Sequence, residues 1–278
     1  QTHWRLFLGY RKEGADEKAA IERLKAEEQL TESLAAQRKE LKKGEDPLPK
    51  QVFDTQLLLA EASVENGKFK EAAELTQPLV SKIETEKPEA LDNTHLRVFT
   101  AAVRANMGSG DPVKAGETVT LLTTLGKDSE QVNGVLVSFL RMMHEEYKRA
   151  NAELISKSKI LDADVKAATE ARFNGVKDLL SKFVDSLATR KELTLLALMY
   201  IGDTSADVGN TETARGLYTR VVDQSEKDPE FKNDKKKMAA LTRIQAQLVD
   251  LLRRKGDYKA GLEQVEKLIT ANPRRWSR

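Results

Sequence analysis

Residues 248–268 read LVDLLRRKGDYKAGLEQVEKL: an apolar run at helical spacing, a glycine at Gly256, and a small residue five positions later at Gly261. Three other stretches repeat the arrangement. They are Leu59 to Leu79 (LAEASVENGKFKEAAELTQPL), Ala102 to Leu122 (AVRANMGSGDPVKAGETVTLL) and Ile201 to Val221 (IGDTSADVGNTETARGLYTRV), which pair Gly67 with Ala72, Gly110 with Ala115 and Gly209 with Ala214. A glycine suits the end of a first helix because the chain must reverse there, and a left-handed backbone costs least without a Cβ. The small residue then lets a returning second helix approach the first. Seven residues further on stands Leu79, Leu122, Val221 or Leu268, with Thr76, Val119, Tyr218 or Val265 three positions before it. That is the inward stripe of a second helix. The pattern predicts an all-α chain of stacked antiparallel helical hairpins reversing at these four glycines.

Composition agrees with that reading. Across 278 residues, charged residues make up 32% and hydrophobic residues 40%, while aromatics are only 5%, which suits thin aliphatic stripes on amphipathic helices. Forty-six Lys and Arg against forty-four Asp and Glu leave a net charge of +2, too balanced for a counterion-releasing surface on nucleic acid. The absence of cysteine removes disulfides, thiolate metal sites and cysteine nucleophiles, and leaves the compartment open between cytoplasm and bacterial periplasm or envelope. The most apolar run, Leu193 to Ile201, is about half the length needed to span a bilayer, so the sequence predicts a soluble chain without a transmembrane segment. A start at Gln1 and a stop just after Asn272-Pro273-Arg274-Arg275-Trp276 suggest a processed chain or a piece of a longer one.

Two longer patterns fill the interval between Gly110 and Gly209. Val132, Val135, Leu136, Phe139, Leu140, Met143 and Tyr147 recur at helical spacing, as do Val165, Phe173, Val176, Leu180, Phe183, Val184 and Leu187. They predict a long-helix hairpin at about 128–190, with Asp162 near the start of its second helix. Met142, Met143 and Phe139 are read as its core. At the N-terminus, Trp4, Leu6, Phe7 and Tyr10 lead into Gly14, and a charged helix from about Ala15 to Lys43 carries Ile21, Leu24, Leu30, Leu34 and Leu41. Gly44 to Pro49 (GEDPLP) reads as a linker. Residues 1–50 are thus expected to form an N-terminal hairpin or connector, and 51–278 the repeat domain.

No catalytic, metal-binding or cofactor-binding constellation is predicted. His3, His95 and His144 are not paired at ligand spacing, and Lys148 stands where a zinc-protease helix would place its second histidine, so they are expected to be solvated or capping. Gly126-Lys127 lacks the other residues of a phosphate loop, and no Gly-x-Ser-x-Gly elbow occurs. The basic clusters Lys232 to Lys237 (KNDKKK) and Arg253-Arg254-Lys255 are read as solvated helix faces or as cations favourably placed at a helix C-terminus.

The four copies resemble tetratricopeptide (TPR) repeats, whose motif of about 34 residues runs W-x-x-L-G-x-x-Y, a glycine turn, A-x-x-x-F and a closing proline. The last copy is the best match, with Gly256, Tyr258 and Pro273; the first has Gly67 and Phe69; the third has Ile201-Gly202 and Tyr218. The copies are degenerate: the first-helix Trp and Tyr are missing, and successive glycines lie 43, 99 and 47 residues apart. The resemblance implies a TPR-like α-solenoid whose first helices line a groove for a peptide or protein partner. Carrying over the groove positions gives Leu57, Glu61 and Val64; Arg97, Thr100 and Arg104; Met199, Asp203 and Asp207; Arg243, Asp250 and Arg253. The Lys and Asn set by which some members clamp a terminal carboxylate is not found. The expected role is a non-catalytic scaffold or adaptor, by analogy with repeats in bacterial envelope and secretion assemblies. The alternatives are a regulatory or substrate-recognition segment of a larger enzyme and, less favoured by the charge balance, a helical-repeat nucleic-acid binder.

Overall fold

The structure, a computed structural model, describes residues 2–157, 163–227 and 234–271. The expected helix start at Asp162, the beginning of the basic run at Lys232, the closing Pro273 and the Leu268 side chain lie outside the described residues. Among those described, twelve helices and no strand are present: α1 (Thr2–Lys12), α2 (Asp16–Glu40), α3 (Lys50–Glu65), α4 (Phe69–Glu86), α5 (Asn93–Gly108), α6 (Pro112–Leu125), α7 (Glu130–Lys157), α8 (Ala163–Ala188), α9 (Leu195–Val208), α10 (Thr211–Lys227), α11 (Lys235–Lys255) and α12 (Tyr258–Ala271).

The four predicted reversals occur where the glycines stand. Gly67, Gly110, Gly209 and Gly256 hold φ between 72° and 92°. At each, the glycine amide donates to the carbonyl three residues back, and the next amide donates to the carbonyl five residues back, as in Lys68 to Ser63 (2.9 Å) and Asp257 to Leu252 (3.0 Å). This paired bonding satisfies carbonyls that the helix end would otherwise leave open. A fifth turn has the same design. Gly14, at φ 72°, separates α1 from α2, its amide reaches Arg11 and the Ala15 amide reaches Tyr10. The small residue five positions on is again buried, Ala19 here and Ala72, Ala115, Ala214 and Gly261 elsewhere. The N-terminal hairpin is therefore a further copy of the repeated unit.

Helix starts are fixed by side chains. Asp92 accepts the His95 amide while the His95 ring accepts the Asp92 amide, giving a reciprocal cap; Asp111, Thr194 and Asp234 cap α6, α9 and α11. In α2 the buried stripe is Ala19, Ala26, Glu27, Leu30 and Leu34. Ile21 and Leu24, expected to share it, are exposed. Close approach of α1 selects the face with the small alanines, which turns those two residues outward.

The chain divides into two compact units, Gln1–Lys127 and Asp128–Arg278. In the first, α1/α2, α3/α4 and α5/α6 are hairpins, with α2 packed on α3, α4 on α5, and α3 beside α5. In the second, α7/α8, α9/α10 and α11/α12 stack likewise, with α8 on α9, α10 on α11, and α7 beside α9. Each unit is thus a TPR-like stack in which one hairpin's apolar face is covered by the next. Met143 and Phe139 lie in the core of the long α7/α8 hairpin, whereas Met142 is partly exposed.

The close approaches make a test. A Cβ added at Gly202 would lie 2.6 Å from the ring of Tyr218, a fully buried side chain with no room to move, whereas one at Gly261 would meet Leu252 at an ordinary 3.8 Å. Gly202→Ala is expected to destabilise the second unit by about 1–3 kcal/mol. Gly261→Ala is expected to stabilise it by up to ~1 kcal/mol, the helix-propensity difference. Urea unfolding of both variants checks the opposite signs.

Candidate interaction surface

First helices α3 and α5 place carboxylates opposite guanidinium groups across the hairpin boundary. Glu61 accepts two bonds from Arg97, from Nε at 2.8 Å and Nη2 at 2.7 Å, a fork-to-carboxylate geometry that fixes orientation as well as distance. One helical turn on, Glu65 accepts from Arg104 of α5 and from Arg11 of α1, each at 2.8 Å, so its carboxylate joins three first helices. The hydrogen bond to Glu61, against the cost of burial, raises the Arg97 pKa. Burial pushes Glu65 upward, but Arg104 and Arg11 together hold it below the usual carboxylate range.

The second unit repeats the scheme with other residues. Asp203 of α9 accepts from Arg243 of α11 (2.9 Å) and from the hydroxyl of Tyr218 on α10 (2.9 Å). Burial, then the neighbouring Asp203, drives the Tyr218 pKa far above its ordinary range, so the hydroxyl stays protonated and donates to Asp203. Asp207 lies 3.0 Å from Nε2 of His144 on α7. The Thr204 hydroxyl gives its proton to the Tyr200 carbonyl (2.9 Å), which leaves the Tyr200 hydroxyl to donate to His144 Nδ1 (3.1 Å). His144 therefore carries its proton on Nε2, towards Asp207.

That arrangement corrects the expectation for His144. The residue is only 4% exposed and ties α7 to α9. Its partners lie 56 to 63 residues away in sequence, which local spacing does not reveal. His95 is the capping histidine expected, and His3 contacts Glu22 of α2.

The other projected groove residues divide by burial. Leu57, Val64 and Met199 are 1%, 3% and 6% exposed, so they belong to the core and present nothing to a partner. The irregular register of these copies turns those positions inward. Glu61, Arg97, Thr100, Arg104, Asp203 and Asp250 are half-buried, and Asp207, Arg243 and Arg253 exposed. Thr100 donates back to the Leu96 carbonyl, and Asp250 pairs with Arg253 and Arg254 within its own helix. Of the twelve, two pairs meet across hairpins, Glu61 with Arg97 and Asp203 with Arg243. Glu65 and Arg11 are not among the twelve, although Glu65 lies one turn after Glu61.

Where they are described, the basic clusters lie at the two ends of α11. Lys236 and Lys237 are exposed in the first turn of α11, and Lys255 lies in its last turn and pairs with Glu212 of α10 at 2.8 Å. Among the described residues, no group of three His, Cys, Asp or Glu is placed to hold a metal ion, and no helix is long and apolar enough to cross a membrane.

No family model matches the chain, and no curated protein does. Among solved structures, it is similar to the nearly identical TPR-like repeats of a Podosopora anserina chain described as a putative kinesin light chain. The identity is 15%, the TM-score 0.39, and 81% of this chain and 97% of that one are covered; a single-substitution variant of the same repeats gives 15%, 0.38 and the same coverage. The TPR-like reading of this chain rests on its own hairpins.

Acid should expose the His144 network. Burial, then Lys148, lowers the His144 pKa against the pull of Asp207. The unfolded chain takes up this proton near 6.5 and the folded chain only at lower pH, so the stabilisation is complete above 6.5 and is lost as pH falls through the folded value. The Glu65 contribution, present above about 4.5, is lost later. His144→Asn is expected to flatten the fall in Tm just below pH 6.5 while keeping the carboxylate-driven fall at lower pH; identical Tm–pH curves would contradict the assignment.

Proposed function

We propose that the chain is a non-catalytic protein-interaction scaffold that receives a peptide or protein partner on the first-helix face of its hairpin stacks. The observation that supports this most is the pairing of half-buried carboxylates with guanidinium groups of the next first helix, Glu61 with Arg97, Glu65 with Arg104 and Asp203 with Arg243. Each carboxylate retains lone pairs and each guanidinium retains N–H groups beyond those used in the pair. A partner laid across such a face meets polar groups whose spacing is set by neighbouring hairpins rather than by flexible side chains alone. Less ordering entropy is then lost on binding. A shallow cleft of about 290 Å³ beside Arg97, edged by Arg5, Asp54, Leu58 and Thr94, opens at the same face of the first unit.

The reading is tested with a photo-crosslinking side chain placed at Thr100, on this face, and separately at Lys39, on the exposed surface of α2. In cells of the source, adducts are expected from Thr100 and not from Lys39. The combined change Arg97→Ala, Arg104→Ala, Asp203→Ala and Asp250→Ala should diminish them while helical circular dichroism is retained. Equal adducts from both positions, or no loss in the quadruple variant, would discard the proposal.

A further inference from the structure

A second surface lies on the other side of the first unit. Helices α4 and α6 are the walls of a cleft of about 570 Å³ whose floor is α5. Along α4 it runs from Lys70 to Glu84, about 20 Å at ~1.5 Å per helical residue. That length accommodates about six residues of extended chain.

The polar groups deep in the cleft are satisfied with one exception. Thr76 donates to the Ala72 carbonyl, Thr118 to that of Lys114, and Ser109 to that of Asn106. The carboxamide of Asn106, a residue 9% exposed that lines the cleft, has no hydrogen-bond partner among the described residues. Its polar atoms are not sealed from solvent, so the two donors and the acceptor of the carboxamide are open to a ligand in the cleft. A peptide bond meets both kinds of demand at once. Pro78, inside α4, also removes the N–H that would have bonded the Glu74 carbonyl, leaving that acceptor without its helical donor.

Charge on the walls has a sign. Among the described residues, Glu74, Glu84 and Glu117 form no ion pair, Lys114 is matched by Asp111 at 3.5 Å, and Lys70 is the cation of the cleft wall left unmatched. We propose that this cleft docks an extended cationic peptide segment, whose backbone bonds the Asn106 carboxamide and whose Arg or Lys side chains reach Glu74, Glu84 and Glu117. The site is separate from the first-helix face and does not depend on it.

The test uses the full chain and a fluorescein-labelled, acetylated decapeptide of alternating glycine and arginine, with alternating glycine and glutamate as the control. Fluorescence anisotropy is expected to show binding of the arginine peptide alone. Glu74→Gln, Glu84→Gln and Glu117→Gln together should weaken it at least about tenfold, the effect of three surface charges. Glu32→Gln, Glu40→Gln and Glu89→Gln, an equal change of charge on other exposed residues, should leave it within about twofold. In the unmodified chain, titration should move the Asn106 side-chain amide resonances. Failure to bind, equal weakening by the two triple variants, or unmoved Asn106 resonances would overturn the proposal.

Discussion

Two backbone hydrogen bonds close each of five hairpin turns, and they form only when the residue between them holds a positive φ. Any residue with a Cβ is strained there, so glycine fixes both where the chain reverses and how tightly. The rest of each unit follows. A tight reversal brings the residue five positions later against the first helix, where Ala19, Ala72, Ala115, Ala214 and Gly261 are buried. Larger side chains there would push the helices apart and open the stripe that the next hairpin covers.

Relative magnitudes separate what drives stacking from what directs it. Burying a Leu or Phe side chain contributes about 1.5–3 kcal/mol, and Leu57, Phe99, Leu122, Leu136 and Leu198 are all enclosed. A partly exposed ion pair contributes about 0–1 kcal/mol. The Glu61–Arg97 and Asp203–Arg243 pairs therefore cannot be the main source of cohesion. Their geometry instead fixes the register between adjacent first helices, because a slip of one residue would separate a forked guanidinium from its carboxylate. The Tyr200–His144–Asp207 chain does the same between α7 and α9, with a neutral ring that costs less to bury than a charged one.

The hairpin architecture is legible in the sequence because its determinants are local: a glycine, a small residue and an aliphatic residue at fixed offsets. The copy at Gly14 is harder to see because Ala26 stands where the others carry Leu or Val, although Gly14 and Ala19 keep the shared spacing. Position on a face can be read less well than position in a helix. Ile21 and Leu24 look like core by residue type, yet the contact with α1 turns them to solvent; Leu57, Val64 and Met199 fall on the projected groove and are buried. Rotation of each helix about its axis depends on both neighbours, and irregular repeats give no fixed register from which to read it. Glu61, Arg97, Asp203 and Arg243 can be found as single positions, while their pairing requires distances between hairpins.

Whether five left-handed turns of one design hold the hairpins closed is addressed most directly by amide hydrogen exchange. The closing amides are those of Ala15, Lys68, Asp111, Asn210 and Asp257, all in short turns between helices where unbonded N–H groups would exchange freely. The account predicts that these five are protected to an extent comparable with amides in the adjoining helical turns. Exchange at the rate of an unstructured chain would contradict it.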